Sequence, residues 1–108
     1  MANTLEKIIQ DKKETLNLIK KNNSLDSLEK KIKSLNFFNN FKKAIQNNKG
    51  ISLISEIKKA SPSAGVLVKN FNHLDIAKMY IDNGSTCLSV LTEEKYFLGK
   101  LDYITDIK

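Results

Sequence analysis

Several residue types that carry chemistry or stability elsewhere are scarce in this sequence of 108 residues. Arginine is absent, and cysteine, histidine and proline occur once each. The lone Cys87 excludes an internal disulfide and a zinc site built from several cysteines. We expect it to be a buried, unreactive thiol in a reducing, cytoplasmic setting. The lone His73 has no cluster of metal ligands beside it, so we expect a surface or helix-capping role and no metal site.

Long apolar runs are missing as well. No stretch approaches the roughly 18 apolar residues of a transmembrane helix, and the first residues lack the apolar segment of a secretory signal. Hydrophobic residues make up 41% and charged residues 28%, a composition typical of globular domains. The sequence therefore predicts no membrane partner.

Positive charge is present but unevenly distributed. All 18 basic residues are lysines, and the net charge is +6. Residues 1–50 hold eleven lysines and five acidic residues, whereas residues 51–108 hold seven of each. A basic nucleic-acid-binding module is one alternative interpretation. We disfavour it because no helix-turn-helix, aromatic RNA-binding strand or zinc pattern accompanies the charge, and because arginine, the usual reader of bases, is absent.

The first half of the chain has helical periodicity. Apolar residues recur at helical spacing in three stripes, within residues 5–19, 25–35 and 37–45. Asn3 is the predicted N-cap of the first helix, with Glu6 completing a capping box. We interpret residues 1–50 as a helical N-terminal extension.

The second half alternates strands and helices. From residue 51 on, the pattern predicts a strand, a loop, a helix, a strand, a loop and the start of a helix, over residues 51–57, 61–65, 75–83, 86–91, 92–99 and 101–108. This order is typical of an α/β fold with parallel strands joined by right-handed crossovers. Two parallel strands do not normally form a stable sheet alone. Residues 51–108 therefore indicate an incomplete part of a larger architecture.

The first predicted strand ends in two charged residues. Side chains alternate along a strand, so Glu56 and Lys58 should project together at its carboxyl end. That end is where α/β barrels and open α/β sheets bind their ligands. The pair suits an anionic substrate or proton transfer. A simple ion pair without a function is the alternative.

The residues around this pair resemble a known family. The segment Glu-Ile-Lys-Lys-Ala-Ser-Pro-Ser-Ala-Gly-Val at residues 56–66 looks like the first-strand signature of indole-3-glycerol-phosphate synthases. Residues 75–80 resemble the first barrel helix of that family, and residues 87–99 resemble its second strand and the following loop. The helical first half is similar to the extension that precedes the barrel.

This resemblance implies a (β/α)₈ TIM barrel of the phosphate-binding type, of which residues 51–108 would form the first two strand–helix units. It implies ring closure of 1-(2-carboxyphenylamino)-1-deoxyribulose 5-phosphate, with loss of CO₂ and water, in tryptophan biosynthesis. The substrate is a small phosphorylated molecule, and neither a metal nor an organic cofactor is expected.

The resemblance also implies residue roles. Lys58 would contact the carboxylate of the substrate and help to position it or donate a proton, and Glu56 would hold both the substrate and this lysine. Ser61, Pro62 and Ser63 match the loop over the substrate. Pro62 and Phe97 would form walls for the anthranilate ring, because a flat ring packs well against apolar and aromatic side chains. Glu93, Glu94 and Lys95, which precede Phe97, are interpreted as a solvated loop; the alternative, a functional loop, rests on the family resemblance and on Phe97.

The length of the sequence limits this hypothesis. A complete barrel needs about 200–250 residues. The general-acid lysine on the third strand, the general-base glutamate and most of the phosphate site of the family would lie beyond Lys108. We therefore expect a fragment that is inactive alone, with the missing C-terminal part of the barrel as its partner. An inactive truncated remnant is the alternative.

Overall fold

A computed structural model of the chain describes residues 2–108, with side-chain environments from residue 3 onward. The chain divides into two compact units, Met1–Asn39 and Asn40–Lys108. The elements in chain order are α1 Ala2–Asn22, α2 Leu25–Lys33, α3 Phe41–Asn47, β1 Ile54–Ile57, β2 Ala60–Ser61, β3 Gly65–Val66, α4 His73–Asp82, β4 Cys87–Val90 and α5 Asp102–Ile107.

The first unit consists of α1 and α2. The hydroxyl of Ser24 accepts a hydrogen bond from the Ser27 N–H and caps α2. Lysines in the last turns of both helices complement the helix dipoles. The predicted cap at Asn3 is wrong, because α1 already includes Ala2. A capping residue has a non-helical backbone, and Asn3 lies inside the helix.

The second unit is built on two parallel strands. β1 pairs with β4 so that Ile54 lies opposite Cys87 and Ile57 lies opposite Val90. The prediction of parallel strands is confirmed, but β1 is shorter than the predicted residues 51–57. Its ladder begins where the carbonyl of Leu53 accepts hydrogen bonds from Thr86 and Cys87. The residues before Leu53 have no place in that ladder, and Ile51 is 96% exposed.

α4 connects the two parallel strands and begins two residues earlier than predicted. The carboxamide oxygen of Asn72 accepts hydrogen bonds from the N–H groups of Leu74 and Asp75, which caps the helix. Ala77 is buried, and the Tyr80 hydroxyl donates to the carbonyl of Glu56 at 2.9 Å. α4 is therefore anchored to β1 close to the carboxyl end of that strand.

His73 is the first residue of α4 and links it to α5, so the capping part of its predicted surface or capping role is wrong. Asn72 provides the cap. His73 is half-buried, with Nε2 lying 2.8 Å from Asp106 Oδ2 and its ring stacked on Tyr103 at 4.2 Å between centroids. These contacts depend on the position of α5. The residues that neighbour His73 in the sequence do not reveal that position.

A short hairpin occupies the region that the sequence predicted to be a simple loop. β2 and β3 pair antiparallel, with Ala60 opposite Val66 and Ser61 opposite Gly65. The carbonyl of Lys59 extends the pairing by accepting from the N–H groups of residues 67 and 68. Gly65 has a φ of 67°, which suits glycine in the turn. Pro62 and Gly65 correctly indicated a turn. The hydrogen bonds that close the hairpin join residues eight and nine positions apart, which the local turn signals do not reveal.

The buried core of the described chain is small. Its hydrophobic members are Ile57, Ala60, Ala77 and Cys87, and the expectation that Cys87 is buried is confirmed. Many larger apolar side chains of the helices remain exposed, including those at positions 25, 28 and 32 of α2. Each of β1 and β4 is paired along one edge in this two-stranded sheet. Within residues 2–108, no helix combines the length and apolarity that a membrane span requires.

These exposed groups lead to a prediction for the chain of residues 1–108 in solution. Free strand edges and exposed apolar side chains promote association. We expect concentration-dependent self-association in sedimentation velocity and bright fluorescence of anilinonaphthalene sulfonate. Ile51→Ser, at a fully exposed position, should lower the dye fluorescence without changing the far-UV circular dichroism. A monomer that leaves the dye dark would contradict this expectation.

Candidate active site

The carboxyl ends of β1 and β4 lie side by side. The Leu91 N–H donates to the carbonyl of Ile57 at 3.1 Å and extends the ladder past the last paired residues. The β2–β3 hairpin follows β1, and the segment of residues 91–99 follows β4, so both leave the sheet at the edge formed by the carboxyl ends of the two strands. In parallel α/β sheets this edge is where ligands bind.

Glu56 and Lys58 form an ion pair at this edge. Lys58 Nζ lies 3.3 Å from Glu56 Oε1, and the two side chains are 34% and 49% exposed. Their predicted proximity is confirmed. An ion pair this exposed contributes little to stability. The ammonium group is therefore partly shielded but open to an anionic group approaching from solvent.

The hairpin carries the three candidate loop residues. The Ser61 hydroxyl accepts a hydrogen bond from the Ala64 N–H at 3.2 Å and lies 3.5 Å from the Ser63 hydroxyl. Ser61 is half-buried, whereas Pro62 and Ser63 are exposed at the tip. Ser61 thus shapes the turn, and Pro62 and Ser63 are the residues that it presents.

Phe97 is half-buried in the segment after β4. The residue that organises this segment is Glu93, whose carboxylate accepts hydrogen bonds from the N–H groups of Lys95, Tyr96 and Phe97. The interpretation of Glu93 as part of a solvated loop missed this role. An acidic residue three positions past the end of β4 and six before a glycine was the available signal.

Gly99 is a second residue whose importance was missed. Its N–H donates to the carbonyl of Glu93 at 2.8 Å. A Cβ atom built on Gly99 would overlap the carbonyl oxygen of Leu91. Only glycine allows the end of this segment to approach its start so closely.

The candidate residues thus form three local groups at one edge of the sheet: the Glu56–Lys58 ion pair, the Ser61–Ser63 hairpin tip and the loop around Phe97. Among residues 2–108, no group of three or more His, Cys, Asp or Glu side chains is arranged to hold a metal ion. The groups present suit recognition of an anionic molecule with an apolar or aromatic part.

A βαβ unit with charged and aromatic side chains at the carboxyl end of its parallel strands defines an α/β protein of the parallel-sheet class. A sequence model described as indole-3-glycerol phosphate synthase matches residues 5–108. The chain belongs to this family.

Individual relatives agree with this assignment. The indole-3-glycerol phosphate synthase of Desulforamulus reducens is 46% identical over 104 residues, covering 96% of this chain and 39% of the relative. That of Clostridium acetobutylicum is 47% identical over 105 residues, covering 96% and 40%. The tryptophan biosynthesis protein TrpCF of Buchnera aphidicola is 42% identical over 106 residues, covering 96% and 22%. The chain spans about two-fifths of the length of the two synthases.

The contact at Gly99 leads to a prediction that a hybrid protein can test. In this hybrid, residues 1–108 replace the matched segment of the Desulforamulus reducens relative. Gly99→Ala should destabilise the hybrid by about 1–3 kcal/mol, because the new methyl group forces the backbone at Leu91 or Gly99 to move. Thermal unfolding should show a Tm lower by roughly 3–10 °C.

The neighbouring Lys100→Ala is the control, because Lys100 is exposed. It should leave the Tm of the hybrid within about 1 °C. Equal Tm values for Gly99→Ala and the parent hybrid would contradict the close approach.

Proposed function

We propose that this chain forms the first two strand–helix units of an indole-3-glycerol-phosphate synthase barrel, with residues 1–50 as the helical extension before them. The full architecture would be a (β/α)₈ barrel of the phosphate-binding type. The observation that carries the proposal is the Glu56–Lys58 ion pair at the carboxyl end of β1, in a chain of this family. The parallel register of β1 and β4 supports it, because neighbouring strands of such a barrel are parallel.

The proposed reaction closes the indole ring of 1-(2-carboxyphenylamino)-1-deoxyribulose 5-phosphate. A carbon–carbon bond forms between the aromatic ring and the ribulose carbonyl carbon, the aromatic carboxylate leaves as CO₂, and the former carbonyl oxygen leaves as water. The substrate carries a carboxylate, an aromatic ring and a phosphate. A site for it therefore needs a cation, an apolar wall and a separate anion site.

Lys58 is the proposed cation. Its side chain is 34% exposed at the ligand edge and its ammonium group is paired with Glu56, which leaves further donors of the –NH₃⁺ group for the substrate carboxylate. Glu56 would keep the lysine side chain directed along the strand end. The hydrogen bond from Tyr80 to the Glu56 carbonyl supports this geometry, because it restrains the backbone that carries the pair.

The hairpin tip and Phe97 are the proposed contacts to the rest of the substrate. Pro62 and Phe97 would flank the aromatic ring, and Ser61 and Ser63 would line the entrance above it. The exposure of Pro62 and the half-buried state of Phe97 are compatible with walls that close on a flat ligand.

The remaining chemistry is proposed to come from outside residues 1–108. The family resemblance assigns the general acid to a third-strand lysine, the general base to a later glutamate, and phosphate binding to the last two strand–helix loops. The partner of this chain would thus be the remainder of a barrel. Proton transfer and phosphate binding each require groups positioned against the substrate, and two strands provide one side of the site.

This division of the site predicts activity for the hybrid and none for the chain of residues 1–108. The hybrid should convert the substrate to indole-3-glycerol phosphate, detected by the indole absorbance and fluorescence of the product. The shorter chain should show no turnover above the uncatalysed rate. Turnover by residues 1–108 alone would overturn the division, and a folded but inactive hybrid would count against the proposed function.

A second prediction concerns Lys58. In the hybrid, Lys58→Ala should lower kcat/KM by roughly 10- to 100-fold, since a charged hydrogen bond to substrate contributes about 1.5–3 kcal/mol. The Tm should change little, because the ion pair is exposed.

Lys59→Ala is the matched control for the charge, since the adjacent Lys59 lies outside the ion pair. It should retain most of the kcat/KM of the parent hybrid. If Lys58→Ala and Lys59→Ala lowered kcat/KM equally, Lys58 would have no specific role in the site.

A further inference from the structure

The Glu93 carboxylate accepts three hydrogen bonds from backbone N–H groups of its own loop. Oε1 accepts from the Lys95 N–H at 2.8 Å, and Oε2 accepts from the N–H groups of Tyr96 and Phe97 at 2.7 and 3.0 Å. Hydrogen bonds to an ionised acceptor are short and strong. A single side chain therefore fixes three successive backbone units, the last of which carries Phe97.

The same loop is closed a second time through its backbone. The Gly99 N–H donates to the carbonyl of Glu93, and the absence of a side chain on Gly99 allows its contact with Leu91. The side chain of Glu93 thus binds the backbone of residues 95–97, and its carbonyl binds the backbone of Gly99. The segment from Glu93 to Gly99 is anchored to the carboxyl end of β4 at both of its ends.

Between these two anchors the backbone adopts an unfavourable conformation. Leu98 has a φ of 52°, in the left-handed region that branched residues rarely adopt. Such a conformation persists only where the surrounding contacts require it. Here the flanking contacts are those of Glu93 with the Phe97 N–H and with the Gly99 N–H.

We infer that Glu93 is a positioning residue that holds Phe97 in place to receive the aromatic ring of the substrate. This inference rests on the proposed function, because the role of Phe97 as a wall belongs to it. A preorganised wall strengthens binding, since the loop loses less conformational freedom when the substrate arrives. Glu93 itself does not touch the substrate, because its carboxylate is directed at the backbone of the loop.

The experiment compares four variants of the hybrid, namely Glu93→Ala, Glu93→Asp, Glu94→Ala and Phe97→Ala. Glu93→Ala should raise KM by on the order of tenfold while kcat changes less than about twofold, because ground-state binding of the ring is weakened. Glu93→Asp should restore part of the loss, since an aspartate can still accept from the N–H two residues on but is one methylene shorter than glutamate. Glu94→Ala removes an exposed carboxylate that makes none of the three bonds, and should keep the parent KM.

The double variant Glu93→Ala/Phe97→Ala tests whether Glu93 acts through Phe97. If it does, the KM of the double variant should lie within about twofold of the KM of Phe97→Ala alone, because the two changes remove one shared contribution. Deuterium uptake of the peptide covering residues 91–99 should increase in Glu93→Ala and remain at the parent level in Glu94→Ala.

The results separate this inference from the proposed function. If Phe97→Ala raises KM but Glu93→Ala does not, the positioning role is wrong while the wall at Phe97 stands. An unchanged KM in Phe97→Ala overturns both the positioning role of Glu93 and the wall at Phe97. If the effects of Glu93→Ala and Phe97→Ala on KM multiplied in the double variant, Glu93 would not act through Phe97. If Glu93→Ala lowered the Tm without changing KM, Glu93 would have only a structural role. Should Glu93→Ala fail to fold, Glu93→Gln takes its place, because it keeps one acceptor oxygen and should give an intermediate KM.

Discussion

The parallel pairing of β1 with β4 is the constraint on which the second unit depends. Parallel strands point the same way, so the chain must return through a crossover, and α4 provides it. The in-register pairing of Ile57 with Val90 then brings the two carboxyl ends together. The Glu56–Lys58 ion pair lies at that end of the sheet. The hairpin and the loop around Phe97 begin there as well. Their grouping follows from strand direction and register.

The small core explains why so much of this chain is built from local contacts. Ile57 is the largest fully buried side chain of the described residues, and burial of such a side chain contributes about 1.5–3 kcal/mol. Two strands with apolar groups exposed beside them do not provide the buried area on which stable sheets depend. Within the frame set by the β1–β4 pairing and the Tyr80–Glu56 hydrogen bond, further order comes from short-range groups. The Ser61 turn, the Asn72 cap and the Glu93 loop each close within a few residues.

These local groups divide the proposed chemistry in a simple way. The cationic contact and the aromatic wall belong to segments that shape themselves, since Lys58 pairs with a neighbour two residues away and Phe97 is held by Glu93. The proposed acid, base and phosphate contacts need groups on other strands. On this proposal, a chain spanning about two-fifths of its synthase relatives would carry preshaped binding elements, and the complete reaction would depend on the remaining strands.

Periodicity and strand alternation in the sequence by themselves determined the order of helices and strands and the proximity of Glu56 to Lys58, because these depend on neighbours along the chain. The residue types of the strand-end motifs were enough to indicate the family. The tertiary structure alone decided where β1 begins, since its length is set by pairing with β4. It also decided the contacts of His73 with α5, the closure of the hairpin and the roles of Glu93 and Gly99. Which backbone groups a side chain meets depends on the path of the folded chain, and periodicity does not encode that path.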